Sequence, residues 1–165
     1  MSVRQISQHA ILAALLFVIY SLGSQVPYVE LLNFMILLYG VTLPRKSSFI
    51  SVFIFTMLVM LLYGLQTWVI MYVIVFPLYT QLYFLVSRVL KSELGLALVG
   101  FCLAFICGTL IDLPYILMSG LASKSLVVYL VSGFKVSLGN ALCTFLATLY
   151  LYEPLAKQLK RQFKL

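Results

Sequence analysis

A chain of 165 residues that is 64% hydrophobic and only 9% charged, with a mean hydropathy of +1.13, has too little polar surface to cover a soluble domain. Soluble domains run about 45–50% apolar and about 25% charged, so lipid must cover the outside of this one, and only helices or a closed barrel pair all their backbone groups in lipid. The net charge of +7 does not point to nucleic acid, because the basic residues are spread over several short breaks and the tail, as membrane topology requires.

The apolar runs are long and continuous, not alternating, which predicts an all-α integral membrane protein: one domain over residues 1–165, built as a six-helix transmembrane bundle. Span 1 runs from about Gln5 to Leu22 and ends in Gly23-Ser24-Gln25-Val26-Pro27. Lacking a clear small-residue cleavage site, it is read as a retained span and not a removed signal. Span 2, from about Tyr28 to Leu43, stops at Pro44-Arg45-Lys46, and span 3 covers about Ser48 to Leu62, ending at Tyr63-Gly64. Both are short for a bilayer that needs about 20 residues per crossing, which places them partly inside the bundle or nearly upright. Span 4 runs from about Thr67 to Val89 with Pro77 as a kink. Span 5 covers about Leu94 to Met118, with Pro114 near its end, and span 6 runs from about Leu126 to Tyr152, closed by Glu153-Pro154. Cys102, Cys107 and Cys143 fall within apolar runs and read as small buried hydrophobes.

With six spans both termini share a side. That side collects Arg4, Arg45, Lys46, Arg88, Lys91, Lys157, Lys160, Arg161 and Lys164, whereas the other has Lys124, with Lys135 near the start of span 6. The positive-inside rule then makes both termini cytoplasmic. The remaining polar groups collect toward the opposite, outer half. Tyr28, Glu30 and Asn33 lie in the outer turns of span 2, and Tyr63, Gln66 and Trp68 flank the loop between spans 3 and 4, with Tyr72 one turn below. Asp112 and Tyr115 end span 5, while Tyr129, Lys135 and Asn140 occupy the outer to middle part of span 6.

Charges in hydrocarbon are costly, so Glu30, Asp112 and Lys135 are expected to pair or to face water. The functional reading is a polar pocket walled by aromatics that takes a water-soluble ligand. The plainer readings are an interfacial aromatic belt, a structural Asp112–Lys135 pair, a Glu30 that serves the dipole of span 2, and interhelical amides at Asn33 and Asn140.

Small residues Ala10 and Ala14 lie one turn apart on one face of span 1, where another helix could approach closely. No phosphate-binding G-x-x-x-x-G-K-[ST] loop, H-E-x-x-H or G-x-S-x-G motif occurs. The lone histidine, His9, sits in the first turns of span 1. No enzyme, metal or intrinsic cofactor is expected. Neither a chain of carboxylates across the bilayer nor two similar halves are visible, which argues against a proton-coupled carrier. A binder without a path or a motor reads as a receptor subunit moved by partners. A small channel or facilitator, and a scaffold with no ligand, are the alternatives.

The Ala10-x-x-x-Ala14 pattern, the Val26-Pro27-Tyr28-Val29-Glu30-Leu31 lead into span 2 and the Gly139-Asn140…Tyr152-Glu153-Pro154-Leu155 end of span 6 make the whole chain resemble a substrate-binding S component of energy-coupling factor (ECF) transporters, a class of ABC importer in the bacterial cell membrane. That resemblance implies a vitamin receptor with cytoplasmic termini. Ala10 and Ala14 would meet a transmembrane coupling subunit driven by two cytoplasmic ATPases, and the receptor would topple to carry its ligand inward. The stretch from Tyr28 to Tyr83 looks most like a subgroup that includes cobalamin receptors, so cobalamin or a related corrinoid is the favoured ligand and pantothenate the next, with Lys135 positioned for a carboxylate.

Overall fold

A computed structural model describes residues 3–26, 29–118 and 123–163, with side chains for all of these except residues 123 and 124. Its elements are α1 (Val3–Gly23), α2 (Leu32–Thr42), α3 (Arg45–Tyr63), α4 (Thr67–Val89), α5 (Glu93–Met118) and α6 (Ser123–Phe163). The expected all-helical architecture is present among the described residues. Five of the six helices, all but α2, are long and apolar enough to cross a membrane.

Helix α2 is the exception that organises the rest. Its eleven residues rise about 16 Å, roughly half the thickness of a bilayer core. Nine successive positions, from Leu32 to Gly40, are buried, and Thr42 is too. An apolar helix with no polar face belongs in an interior, and α2 touches all five other helices. Around it the contacts run α1 to α3, α3 to α4, α4 to α5 and α5 to α6. Small residues set the spacing. A Cβ at Gly40 would stand 2.7 Å from the Thr80 carbonyl oxygen on α4, and one at Gly100 of α5 would stand 2.7 Å from Leu37 Cδ1. The Tyr39 hydroxyl donates to the Leu12 carbonyl at 3.1 Å and pins α2 to α1.

Two expected boundaries move. Helix α2 starts at Leu32, not near Tyr28; the chain instead leaves α1 through turns, with Ser24 N–H bonded to Tyr20 O at 2.9 Å and Val26 N–H to Gly23 O at 3.0 Å. Helix α6 does not stop at Tyr152: Pro154 lies inside it, as Pro77 and Pro114 lie inside α4 and α5. A proline removes one helical hydrogen bond, but the packing beyond it holds the turn. Ala156 is buried, Leu155, Leu159 and Phe163 pack on the core, and Lys157 Nζ stands 2.7 Å from Glu153 Oε1. With 41 residues α6 is about 60 Å long, about twice the hydrocarbon thickness, so it extends past the bundle.

The two ends differ. At the end carrying Arg4, Arg45 and Arg161, residues from α1, the α2–α3 junction and the tail of α6 meet: His9, Leu43, Pro44 and Phe163 enclose a void of only about 40 Å³. Arg45 Nε donates to Gln81 Oε1 at 2.7 Å there, tying α3 to α4. This is the basic end; an open groove along the tail of α6, lined by Lys157 and Arg161, also lies here, whereas the cavities lined by Glu30 and Asp112 lie toward the other.

Candidate functional site

Four rings from three helices close a cycle at that other end. Tyr20, in the last turn of α1, meets Tyr63 at 6.3 Å and Tyr72 at 6.1 Å between centroids; Trp68 meets Tyr63 at 5.3 Å and Tyr72 at 5.2 Å. All four contacts are edge-to-face, the arrangement that sets one ring's positive edge on the next ring's negative face. Residues 63, 68 and 72 converge because α3 and α4 form a tight hairpin turned by Gly64, whose φ of 77° is the left-handed conformation that glycine adopts without strain. Gln66 in this turn accepts a hydrogen bond from Trp68 Nε1 at 2.6 Å and fixes the indole.

Tyr20 and Tyr72 also line a cavity of about 260 Å³ with Ser24, Glu30, Val136 and Asn140. Asn140 Nδ2 on α6 donates to Glu30 Oε2 at 2.9 Å, joining two residues 110 positions apart in sequence. Glu30 stands in irregular backbone, one residue before Leu31, which flanks the start of α2. Its carboxylate therefore lies at the positive end of that helix's dipole. Irregular backbone persists within a membrane bundle where it is buried in protein or lines a cavity, and Val29 and Glu30 both line this one. Asn33 is buried within α2, and its side-chain oxygen has no hydrogen-bond donor.

A second cavity, of about 430 Å³, lies between α5 and α6. Asp112 faces it with Thr109, Tyr129, Ser132 and Ser137, among apolar neighbours that include Phe105 and Phe134. Tyr129 lines this cavity beside Asp112, and its ring packs on Tyr115 at 5.7 Å. Val136 lines both cavities, so they adjoin across one side chain. Tyr72 lies within electrostatic range of Glu30 and of Asp112.

The residues expected to share a pocket thus divide into groups. Glu30, Tyr72 and Asn140 share the smaller cavity; Tyr63, Gln66 and Trp68 form the aromatic cluster beside it; Asp112 faces the larger one, with Tyr115 at its edge and exposed. Tyr28 lies outside the described residues. Lys135 is exposed and lines neither cavity. Its place follows from helical phase: Gly133, Val136, Ser137 and Asn140 recur at three- and four-residue steps on the face toward α5 and α2, and Lys135 falls on the outward stripe with Leu138, Leu142 and Leu146. No Asp112–Lys135 pair forms; among the described residues the salt bridge present is Glu153–Lys157. Ala10 and Ala14 are both exposed, on the side of α1 opposite buried Leu12, Ala13 and Leu16.

The sequence expectation missed Tyr20 and Ser137. Tyr20 had a usable signal, since it sits one turn before the Gly23-Ser24 break that ends α1. Ser137 had none, because only the approach of Gly108, where a Cβ would stand 2.7 Å from Ser137 Oγ, places it at the α5–α6 contact. No three of the described histidine, cysteine, aspartate and glutamate residues come together to hold a metal ion. Comparison with protein families, with curated proteins and with solved structures returns no match.

Proposed function

We propose that the chain is a membrane-embedded receptor for a water-soluble vitamin, the S component of an ECF-type importer, whose transport is driven by ATP hydrolysis in partner subunits. The observation that carries the reading is the broken start of α2. It puts a carboxylate and irregular backbone into a cavity walled by Tyr20, Tyr72 and Asn140. A purely structural membrane helix gains nothing from such a break, whereas a binding site gains polar groups at a fixed depth.

In this reading the basic end faces the cytoplasm, by the positive-inside rule, and the cavities face outward. The coupling subunit docks on the exposed Ala10–Ala14 face, and the two ATPases act through it. Lipid covers the rest of the perimeter. The larger cavity falls in the size range of small-molecule sites, about 300–1,000 Å³, and the smaller lies just below it. A corrinoid such as cobalamin, the ligand favoured by the resemblance, fills more than the smaller cavity, so it needs Val136 to move and join the two; a vitamin the size of pantothenate does not.

The test is calorimetry of the purified chain in lipid nanodiscs against a panel of water-soluble vitamins, with flux assays on liposomes holding the chain alone. One vitamin should bind with 1:1 stoichiometry, and none should cross. Flux through the lone chain would make it a facilitator, and absence of binding across the panel would leave it a scaffold.

A further inference from the structure

Within that receptor reading, on which this step rests, we infer that the ligand is an organic cation, presenting a protonated amine, an amidine or a quaternised ring nitrogen to Glu30. The walls of the two cavities contain two carboxylates, Glu30 and Asp112, and no described lysine, arginine or histidine. Glu30 is bonded by a neutral amide, Asn140 Nδ2, which orients the carboxylate without cancelling its charge. Asp112 likewise shares its cavity with neutral polar groups, the hydroxyls of Thr109, Tyr129, Ser132 and Ser137.

The cations that could have compensated them are elsewhere. Lys135 is turned outward on α6, while His9, Arg45 and Lys46 lie at the basic end. Aromatic faces add to the same sign. Tyr20 and Tyr72 line the smaller cavity, and ring faces attract ammonium-type groups through their quadrupoles, most strongly where water is excluded. The one local feature that favours an anion, the positive end of the α2 dipole, is already met by Glu30 itself. A free carboxylate entering here would find like charge and, among the described lining residues, no cation. The sequence assigned that partner role to Lys135, and its position on the outward stripe removes the ground for pantothenate.

The experiment uses three probes of one shape and three charges: N-methylnicotinamide, a cation; nicotinamide, neutral; and nicotinate, an anion. Thiamine and pyridoxamine serve as larger cations, pantothenate and biotin as larger anions, and cobalamin as the corrinoid. Binding to the full chain in nanodiscs is read by calorimetry and by the ligand-induced rise in melting temperature. We expect a cation to bind, nicotinate and the larger carboxylates to fail, and Glu30→Gln to weaken the cation at least tenfold while the unliganded chain melts as wild type. Lys124→Ala, in the first turn of α6, should leave cation binding unchanged. Should Glu30→Gln not fold, the ranking of the isosteric probes on wild type decides the charge by itself. An anion or a neutral vitamin bound more tightly than every cation overturns the inference and leaves the receptor reading standing. Failure of all probes overturns both.

Discussion

Gly40 is where the short central helix comes closest to a neighbour, and Gly40→Ala measures how closely. The new Cβ would lie 2.7 Å from the Thr80 carbonyl oxygen, 2.8 Å from Tyr83 Cβ and 3.2 Å from Thr80 Cα. Two of these atoms are backbone and the third is fixed to it, so no rotamer change relieves the contact. Thr80 and Tyr83 are fully buried, so they cannot retreat without disturbing α4. Overpacking of this kind costs about 1–3 kcal/mol, and the better helix propensity of alanine returns about 0.5–1 kcal/mol. The difference spans about 0–2.5 kcal/mol and centres on a destabilisation of about 1 kcal/mol. At about 2–4 °C per kcal/mol for a chain of this size, the melting temperature in nanodiscs should fall by about 2–4 °C at that centre. Gly133→Ala is the matched control, because a Cβ there meets nothing within 4 Å; it should leave the melting temperature level or slightly raised. If Gly40→Ala melts with wild type, or Gly133→Ala proves the more damaging of the two, the tight α2–α4 packing described above is wrong.

Two further outcomes are expected. Ala10→Leu and Ala14→Leu enlarge exposed side chains on α1, so they should abolish ATP-driven uptake in the assembled importer while ligand affinity and melting temperature of the chain stay at wild-type values; lost affinity would assign these alanines to the bundle instead. In a variant without Cys102, Cys107 and Cys143, a cysteine at Leu65, which is 77% exposed between α3 and α4, should react with an impermeant maleimide on intact cells. A cysteine at Lys157 should react only after permeabilisation, and the reverse pattern would invert the orientation.

How much of this was legible depended on what each feature needs. The spans read well because length and continuous hydropathy are local properties: span 4 and α4 share the bounds Thr67 and Val89. The interior position of α2 was half visible in its shortness. Its late start was not, because Val29 and Leu31 are as apolar as the helix that follows; only the cavity explains why the backbone stays irregular there. Pro154 misled for the opposite reason. Its local preference is to end a helix, and the packing of Leu155, Leu159 and Phe163 on the core overrides it. In the site, depth could be inferred and facing could not. Glu30 and Asn140 were placed at one level and do meet. Lys135 was placed at that level too, yet in a helix whose outer half is largely exposed, nothing in the local sequence fixes the rotational phase that turns it outward.

The difference between the two ends bears on how a bound ligand could ever reach the other side. A path through the bundle would have to run alongside α2, from the cavity at Glu30 to the 40 Å³ void at Leu43. Opening it would wet Phe34, Ile36, Leu37 and Leu38, which are at most 1% exposed. At about 1.5–3 kcal/mol for each large apolar side chain, that is about 6–12 kcal/mol, before any loss of packing with the surrounding helices. Helix α2 packs chiefly on α4 and α6, so a path alongside it would have to part its contacts with those two helices. Reorienting the bundle as a unit leaves them intact and moves the cost to the lipid boundary, where basic residues at one end and a chamber at the other must cross the membrane's field. On the receptor reading proposed above, the work would have to come from a partner, and the exposed Ala10–Ala14 stripe on α1 is where a partner helix could come close enough to apply it.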